Sequence, residues 1–389
     1  MTLPLLQRRS TAAVLGGLGF LLIGWTGLLV PSLIRSVEGG FGQTDAGIGL
    51  FYFVDAVAYV TGSLIGGYAT ERLGRRAVLS LAAALVGVGL LAMGTVPSWS
   101  LFLLAALPLG LGSGAIDGGV NGLYIDLYPT SRGQALNRVH LFFSLGALTS
   151  PLIVGRLVDA GVPWQAVILG TTLVAFPLAI LLALTGLPSG RHHRPDGGSA
   201  ASIGYALPLI LLAVAIACYV ASEIGVSSWL VRYLSAAPLS TATAALSLFW
   251  AGNLLGRLVS ARYADRFDHL RLAIASSLVA ASTIVVALIA PSLELSIALF
   301  ALVGFASGPI YPLIMAIGGD RFPDRSAAVS GFLAGTAVIG SIVYPPVMGF
   351  MSVTVGLTTA MLGSALLGYV SAGALVLSGR TAADRPPPG

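Results

Sequence analysis

Residues 101-LFLLAALPLGLGSGAIDGGVNGLY-124 place a single charged side chain, Asp117, in 24 consecutive positions. About 20 apolar residues in a helix cover the roughly 30 Å hydrocarbon core of a bilayer. The stretch therefore reads as a membrane-crossing helix, because a helix satisfies its own backbone groups where no water is available. Gly112, Gly114, Gly118, Gly119 and Gly122 crowd the same segment. Small residues there allow a second helix, or a ligand, to approach the backbone closely.

The composition extends this reading to the whole chain. Of 389 residues, 56% are hydrophobic and only 9% charged, with 50 glycines, and the mean hydropathy is +0.92. Soluble domains carry about 25% charged residues. The lone cysteine, Cys218, excludes a disulfide framework. Four scattered histidines give no metal-binding spacing, so neither a metal nor a cofactor is expected. The positive charge lies in short turns rather than on one basic face, which argues against nucleic acid as a partner. No nucleophile–base pair or phosphate loop points to an enzyme.

Apolar runs long enough to cross a membrane recur at 12–34, 44–69, 77–96, 100–126, 138–158, 163–187, 205–233, 239–260, 271–290, 293–318, 326–350 and 355–378. The first lacks a convincing cleavage site and is too long for a signal-peptide core, so it counts as a span. The expected fold class is an all-α membrane protein of twelve transmembrane helices in two six-helix bundles, 1–187 and 205–389. A cytoplasmic linker at 188–204 contains PSGRHHRPDGGSA, Pro188 to Ala200. With the N-terminus inside, 17 of the 20 arginines face the cytoplasm, leaving Arg35, Arg156 and Arg232 outside. That asymmetry orients the chain with both termini cytoplasmic. The expectation is a multi-pass protein of the cell inner (plasma) membrane, monomeric, with the lipid bilayer as its surroundings.

The two halves superpose without gaps at a shift of 194. Gly62 falls on Gly256, Glu71-Arg72 on Asp265-Arg266, and Ser113-Gly114 on Ser307-Gly308. Asp126 falls on Asp320 and Pro129 on Pro323; Gly146, Pro151 and Gly155 fall on Gly340, Pro345 and Gly349. A parallel repeat of two bundles, with a site near the midplane between them, is a transporter architecture.

Scaffold residues should repeat, whereas cargo chemistry need not. At the shift of 194, Asp117 meets Tyr311, Asn121 meets Met315, His140 meets Ala334, Asp55 meets Phe249 and Glu223 meets Leu29. An ionised acid at a helix centre costs about 2.5–3.5 kcal/mol on insertion scales, so intramembrane acids read first as functional. Proton coupling is assigned to Asp117, with Glu223, Asp55 and His140 as further candidates. Asp117 and Asn121 share a helix face, being four apart, and His140 starts the next span at similar depth. Tyr59 lies one turn from Asp55. Substrate contacts are expected from Asn121, Asn253, Tyr311, Trp250, Tyr124 and Trp229, whose amides and rings suit a hydroxylated ligand. Arg257 reads as part of the cytoplasmic rim.

The turn 67-GYATERLGRR-76 resembles the loop motif of the major facilitator superfamily, with Glu71 where aspartate is commoner. Its echo, 262-RYADRFDHLR-271, keeps Asp265-Arg266 and loses the Gly-Arg-Arg tail. Glu71, Arg72, Arg75, Arg76, Asp265 and Arg266 are expected to latch the cytoplasmic side. Within the superfamily the chain resembles the fucose permease-like branch of sugar:proton symporters. The residues that carry this are 112-GSGAIDGGVN-121, 136-LNRVHLFFSLGALTSPLIVG-155, 219-YVASEIGVSSWLVRYL-234, 249-FWAGNLLGR-257 and 304-GFASGPIYP-312. The resemblance implies an acid followed four residues later by asparagine in span four, as at Asp117 and Asn121. It also implies an acid in span one, where 24-GWTGLLVPSL-33 has Gly27 instead. The expected function is alternating-access transport of a small polar solute, a sugar first, coupled to protons. The alternative is a proton-driven exporter of amphipathic drugs or lipids, with a transport-inactive receptor behind it.

Overall fold

The structure, a computed structural model, describes residues 9–187 and 207–383. The linker expected at 188–204 lies outside the described residues. The first seven helices are α1 (Arg9–Gly27), α2 (Leu29–Phe41), α3 (Asp45–Leu73), α4 (Arg75–Thr95), α5 (Trp99–Leu127), α6 (Arg132–Asp159) and α7 (Trp164–Leu184). The next seven are α8 (Leu207–Tyr233), α9 (Leu239–Tyr263), α10 (His269–Leu288), α11 (Leu293–Ser307), α12 (Ile310–Arg321), α13 (Ser326–Val355) and α14 (Leu357–Ala383). They make 12 spans long and apolar enough to cross a membrane.

Two of the spans are broken, which the run-length reading did not anticipate. Span one divides into α1 and α2 at Leu28, and span ten into α11 and α12 at Gly308–Pro309. Proline has no N–H to give. Pro31 therefore leaves the Gly27 carbonyl without its helical donor, and Pro309 does the same to Phe305. Side chains exposed on the outside are themselves apolar, with Leu64 at 72% and Leu173 at 77%. Lipid is the solvent that tolerates such a surface. Close packing, rather than hydrophobic burial, must then hold helix to helix.

By contacts the chain forms two compact units, Met1–Arg194 with Pro238–Ser247, and Pro195–Ala237 with Leu248–Gly389. In the first unit, α3 and α5 touch backbone to backbone through glycine. A Cβ at Gly110 would strike the Asp55 carbonyl, one at Gly114 the Tyr59 carbonyl, and one at Gly62 the Leu111 carbonyl. The unit also takes in the first turns of α9. There Thr243 fills the space beside Gly155, and the Ser240 N–H donates to Asp159 Oδ2 (3.0 Å).

The second unit repeats the glycine packing position for position. Gly304 meets the Phe249 carbonyl, Gly308 the Asn253 carbonyl and Gly256 the Phe305 carbonyl, each 194 residues beyond its counterpart. The contact of α1 with α6 repeats at a different offset. Gly146 packs on the Leu21 carbonyl and the Trp25 nitrogen, while Gly340 packs on the Ala217 carbonyl and the Ala221 nitrogen. Gly146 and Gly340 are 194 apart, but Leu21 and Ala217 are 196 apart. The ungapped alignment is thus corrected at the first helix of each unit, where register is set by which backbone atom the glycine rests on. The counterpart of Glu223 becomes Gly27 instead of Leu29.

Candidate functional site

Asp117 in the first unit, partly buried, and Glu223 in the second, buried, are carboxylates within helices, and each is approached from the same place. In the first unit Asn121 Nδ2 donates to Asp117 Oδ1 (3.0 Å), one turn apart on α5. The Tyr59 hydroxyl, reaching over from α3, bonds to the Asp117 carboxyl as well. Tyr59 thus serves Asp117, while Asp55 on its own helix also acts on it through space. Gly118, next to Asp117, lies against Ser63 of α3, and Gly114 admits the Tyr59 backbone. Small residues bring the two helices close enough for this bond. Asn121 Oδ1 is buried and has no hydrogen-bond partner.

In the second unit the Tyr219 hydroxyl donates to Glu223 Oε1 (2.6 Å), again one turn apart, on α8. The Asn253 amide on α9 donates to the same oxygen. Asn253 is 194 residues beyond Tyr59, so one repeated position serves both acids. Glu223 is 7% exposed and Asn253 1%. Arg257, one turn further along α9, lies beside the Tyr219 hydroxyl and in the field of Glu223. Glu223 is the only acid on α8, and the Arg257 Nε is buried without a hydrogen-bond partner.

The other expected contacts fall into different settings. Trp229 is 0% exposed and its indole donates to the Pro345 carbonyl (3.0 Å), bracing α8 against α13. Tyr124 is 4% exposed and its hydroxyl donates to the Ala13 carbonyl (2.6 Å), tying α5 to α1. Both side chains are buried and tie helix to helix. His140 packs edge-on against Phe20 with ring centroids 5.1 Å apart. Trp250 is 4% exposed and meets Phe249 edge-on, and Tyr311 packs partly buried beside the core of α8, α12, α13 and α14. Among the described residues no group of three or more His, Cys, Asp or Glu is placed to hold a metal ion.

At the helix ends, Arg75 Nη2 pairs with Asp126 Oδ2 at 2.8 Å, joining the start of α4 to the end of α5. The equivalent pair in the second unit is His269 Nδ1 with Asp320 Oδ2 at 3.6 Å, both members 194 residues on. Arg72 lies over the Tyr68 ring at 4.6 Å and Arg266 over Tyr263 at 5.2 Å, and Arg76 is exposed. The side chains of Glu71 and Asp265 lie outside the described residues. Arg75 is 6% exposed and Asp126 25%, whereas Asp320 is 73% exposed. Asp126→Asn leaves a nearly buried guanidinium facing a neutral group, so its cost should exceed the roughly 0–1 kcal/mol of a surface pair. Asp320→Asn should stay inside that range. Melting temperatures of the two purified variants check the order, and equal losses would remove Arg75–Asp126 from the parts that hold the first unit together.

Tyr219 and His269 escaped the sequence reading, as did the partners of Tyr59, Asp126 and Arg257. A signal was available for most of them. Tyr219 and Glu223, like Asn253 and Arg257, are four apart, and Arg257 stands opposite Ser63 at the shift of 194. The repeat of Arg75 as His269 was visible at the same shift.

A family model described as Major Facilitator Superfamily matches residues 13–235 and 198–389. Protein TsgA of Salmonella arizonae is 27% identical over 272 residues, which is 68% of this chain and 69% of that protein. Among solved structures, a bacterial homolog to the human lysosomal transporter Spinster, inward-facing and occupied, superposes with TM-score 0.81 at 18% identity, covering 98% of this chain and 99% of that one. A D-xylose-proton symporter does so with TM-score 0.75 at 16% identity, covering 93% and 96%.

Proposed function

We propose that this chain, which belongs to the Major Facilitator Superfamily, carries a small polar solute, a sugar in the first instance, together with a proton. The setting proposed is the bacterial inner membrane, and the mode alternating access. The observation that carries the reading is the Asp117 cluster. Asp117, with Tyr59 and Asn121 beside it inside a membrane-spanning helix, is not part of the repeated scaffold: Tyr311 stands at its position in the second unit. Asn121 commits one amide hydrogen to Asp117 and leaves Oδ1 as a buried acceptor. A solute hydroxyl is the kind of donor that such an acceptor lacks. The shared fold with a D-xylose-proton symporter makes sugars the first class to test.

A ligand that binds only the folded protein raises its stability by mass action, about 2.7 kcal/mol at a hundredfold excess over Kd. Sugars, phospholipids and cationic drugs should therefore be compared by thermal shift at two pH values. Stabilisation by a sugar supports the reading; stabilisation only by lipids or drugs replaces it with the exporter. Asn121→Ala removes one neutral hydrogen bond, about 0.5–1.5 kcal/mol, and should weaken sugar binding by roughly 2- to 13-fold at about 1.4 kcal/mol per tenfold. Titration calorimetry on the variant reads this directly, and an unchanged affinity takes Asn121 out of the site.

A further inference from the structure

Arg257 is a charged side chain whose Nε lies buried with no hydrogen-bond partner. A guanidinium brings five N–H donors in a planar fork, and buried donors are nearly always paired. In Glu223, its acidic neighbour, Oε1 accepts from both Tyr219 and Asn253. Neither charge belongs to the repeated scaffold. Arg257 stands opposite Ser63, and Glu223 opposite Gly27, a glycine with nothing within 4 Å of where its Cβ would be. The first unit thus makes the same glycine-mediated helix contacts without the pair.

We propose that Arg257 and Glu223 form a switchable anion site, so that the solute of the preceding section carries a carboxylate, as a sugar acid or a similarly hydroxylated organic acid does. The inference rests on that reading and narrows its substrate class. Charge arithmetic gives the coupling. With Glu223 ionised and Arg257 charged, the empty cluster sums to zero. A proton on Glu223 leaves it at +1, and a carboxylate on the Arg257 fork returns it to zero. Either particle alone would leave an uncompensated charge among apolar helices, which is costly. Proton and anion are thereby favoured together. Arginine suits the task because its fork meets a carboxylate with two parallel hydrogen bonds.

The surroundings of Glu223 leave the switch to these groups. On its own helix Tyr219 faces it, and from α9 come Asn253 and Arg257. From α13, Tyr344 lies against Gly225 and donates to the Ala360 carbonyl (2.7 Å). From α14, the Ser364 carbonyl accepts from Ser222, and Ser371 donates to the Ala215 carbonyl. α12 brings Tyr311 to the core that holds Tyr219. Among the described residues, Arg257 is the charge whose field acts on Glu223.

The test uses the full purified chain and three probe pairs, each a sugar acid with its neutral parent sugar: glucuronate with glucose, galacturonate with galactose, and gluconate with glucose. Affinities are measured by titration calorimetry at pH 5.5 and 7.5, where the probes stay ionised. At least one acid should bind better than its neutral partner, and more tightly at pH 5.5 by about 5- to 100-fold, the upper figure being the ceiling for one proton over two pH units. Glu223→Gln should remove that pH dependence. Arg257→Gln should abolish the preference for the acid, and Arg257→Lys, which keeps the charge without the fork and guards against a folding failure, should lower the acid-to-neutral ratio about tenfold. Neutral sugars binding as well as their acids, with ratios unmoved in the Arg257 variants, would overturn the anion site and leave the sugar reading standing. A pH dependence that survives in Glu223→Gln would overturn the switch. Failure of every acid and every neutral sugar to bind would sink both.

Discussion

Asp117→Asn should bring proton-driven accumulation of cargo down to background while exchange of cargo across the membrane persists. The variant keeps the shape and imitates the protonated carboxyl. Its amide oxygen can still accept from Asn121, which bonds to Oδ1 of the native side chain. The capacity to take up and release a proton is removed. Exchange needs no net proton movement and should continue; uphill accumulation needs it and should stop. Uptake into vesicles under an imposed pH gradient, set against counterflow of labelled solute, separates the two. Accumulation at the parent level would clear Asp117 of coupling.

The largest loss of stability is expected from Gly114→Ala. A Cβ there runs into the Tyr59 carbonyl, and the neighbouring Ser63 nitrogen is close behind. Backbone atoms cannot rotate away, so α3 and α5 must separate. Overpacking of this kind costs about 1–3 kcal/mol, occasionally more. Parting the helices also breaks the Tyr59–Asp117 bond, so stability and coupling should fall together. Gly308→Ala, against the Asn253 carbonyl, should behave alike in the second unit, whereas Gly170→Ala, with nothing within 4 Å, should be neutral or mildly stabilising. Melting temperatures of the three variants give the comparison. A Gly114→Ala protein as stable as Gly170→Ala would contradict the close contact of α3 with α5.

Much of this architecture was legible because membrane spans announce themselves by length and composition. The twelve apolar runs, the arginine-rich turns and the shift of 194 needed no three-dimensional information. The breaks at Leu28 and at Gly308–Pro309 were harder, since an apolar run looks continuous whether or not a proline interrupts its hydrogen bonds. Partnerships across helices were less legible still. Which neighbour Tyr59 serves depends on how far α3 is rotated and how closely it approaches α5, and glycine contacts set both. The same rotation sends Trp229 and Tyr124 into packing, although their aromatic character alone suited a ligand. The neighbourhood of Arg257 with Glu223 was missed because proximity to a basic turn outweighed its spacing of four from Asn253. The two-residue slip of α8 could not be seen in an ungapped alignment, and it is what sets Glu223 opposite Gly27.

Proton movement that accompanies cargo movement is the most direct thing to measure. Proteoliposomes holding the parent chain, in weakly buffered medium with a pH electrode, would receive the solute identified by the binding screen. Symport predicts that the medium turns alkaline as solute enters, in step with uptake, and that Asp117→Asn removes the signal. Solute entry with no change in pH, or with acidification, would contradict it.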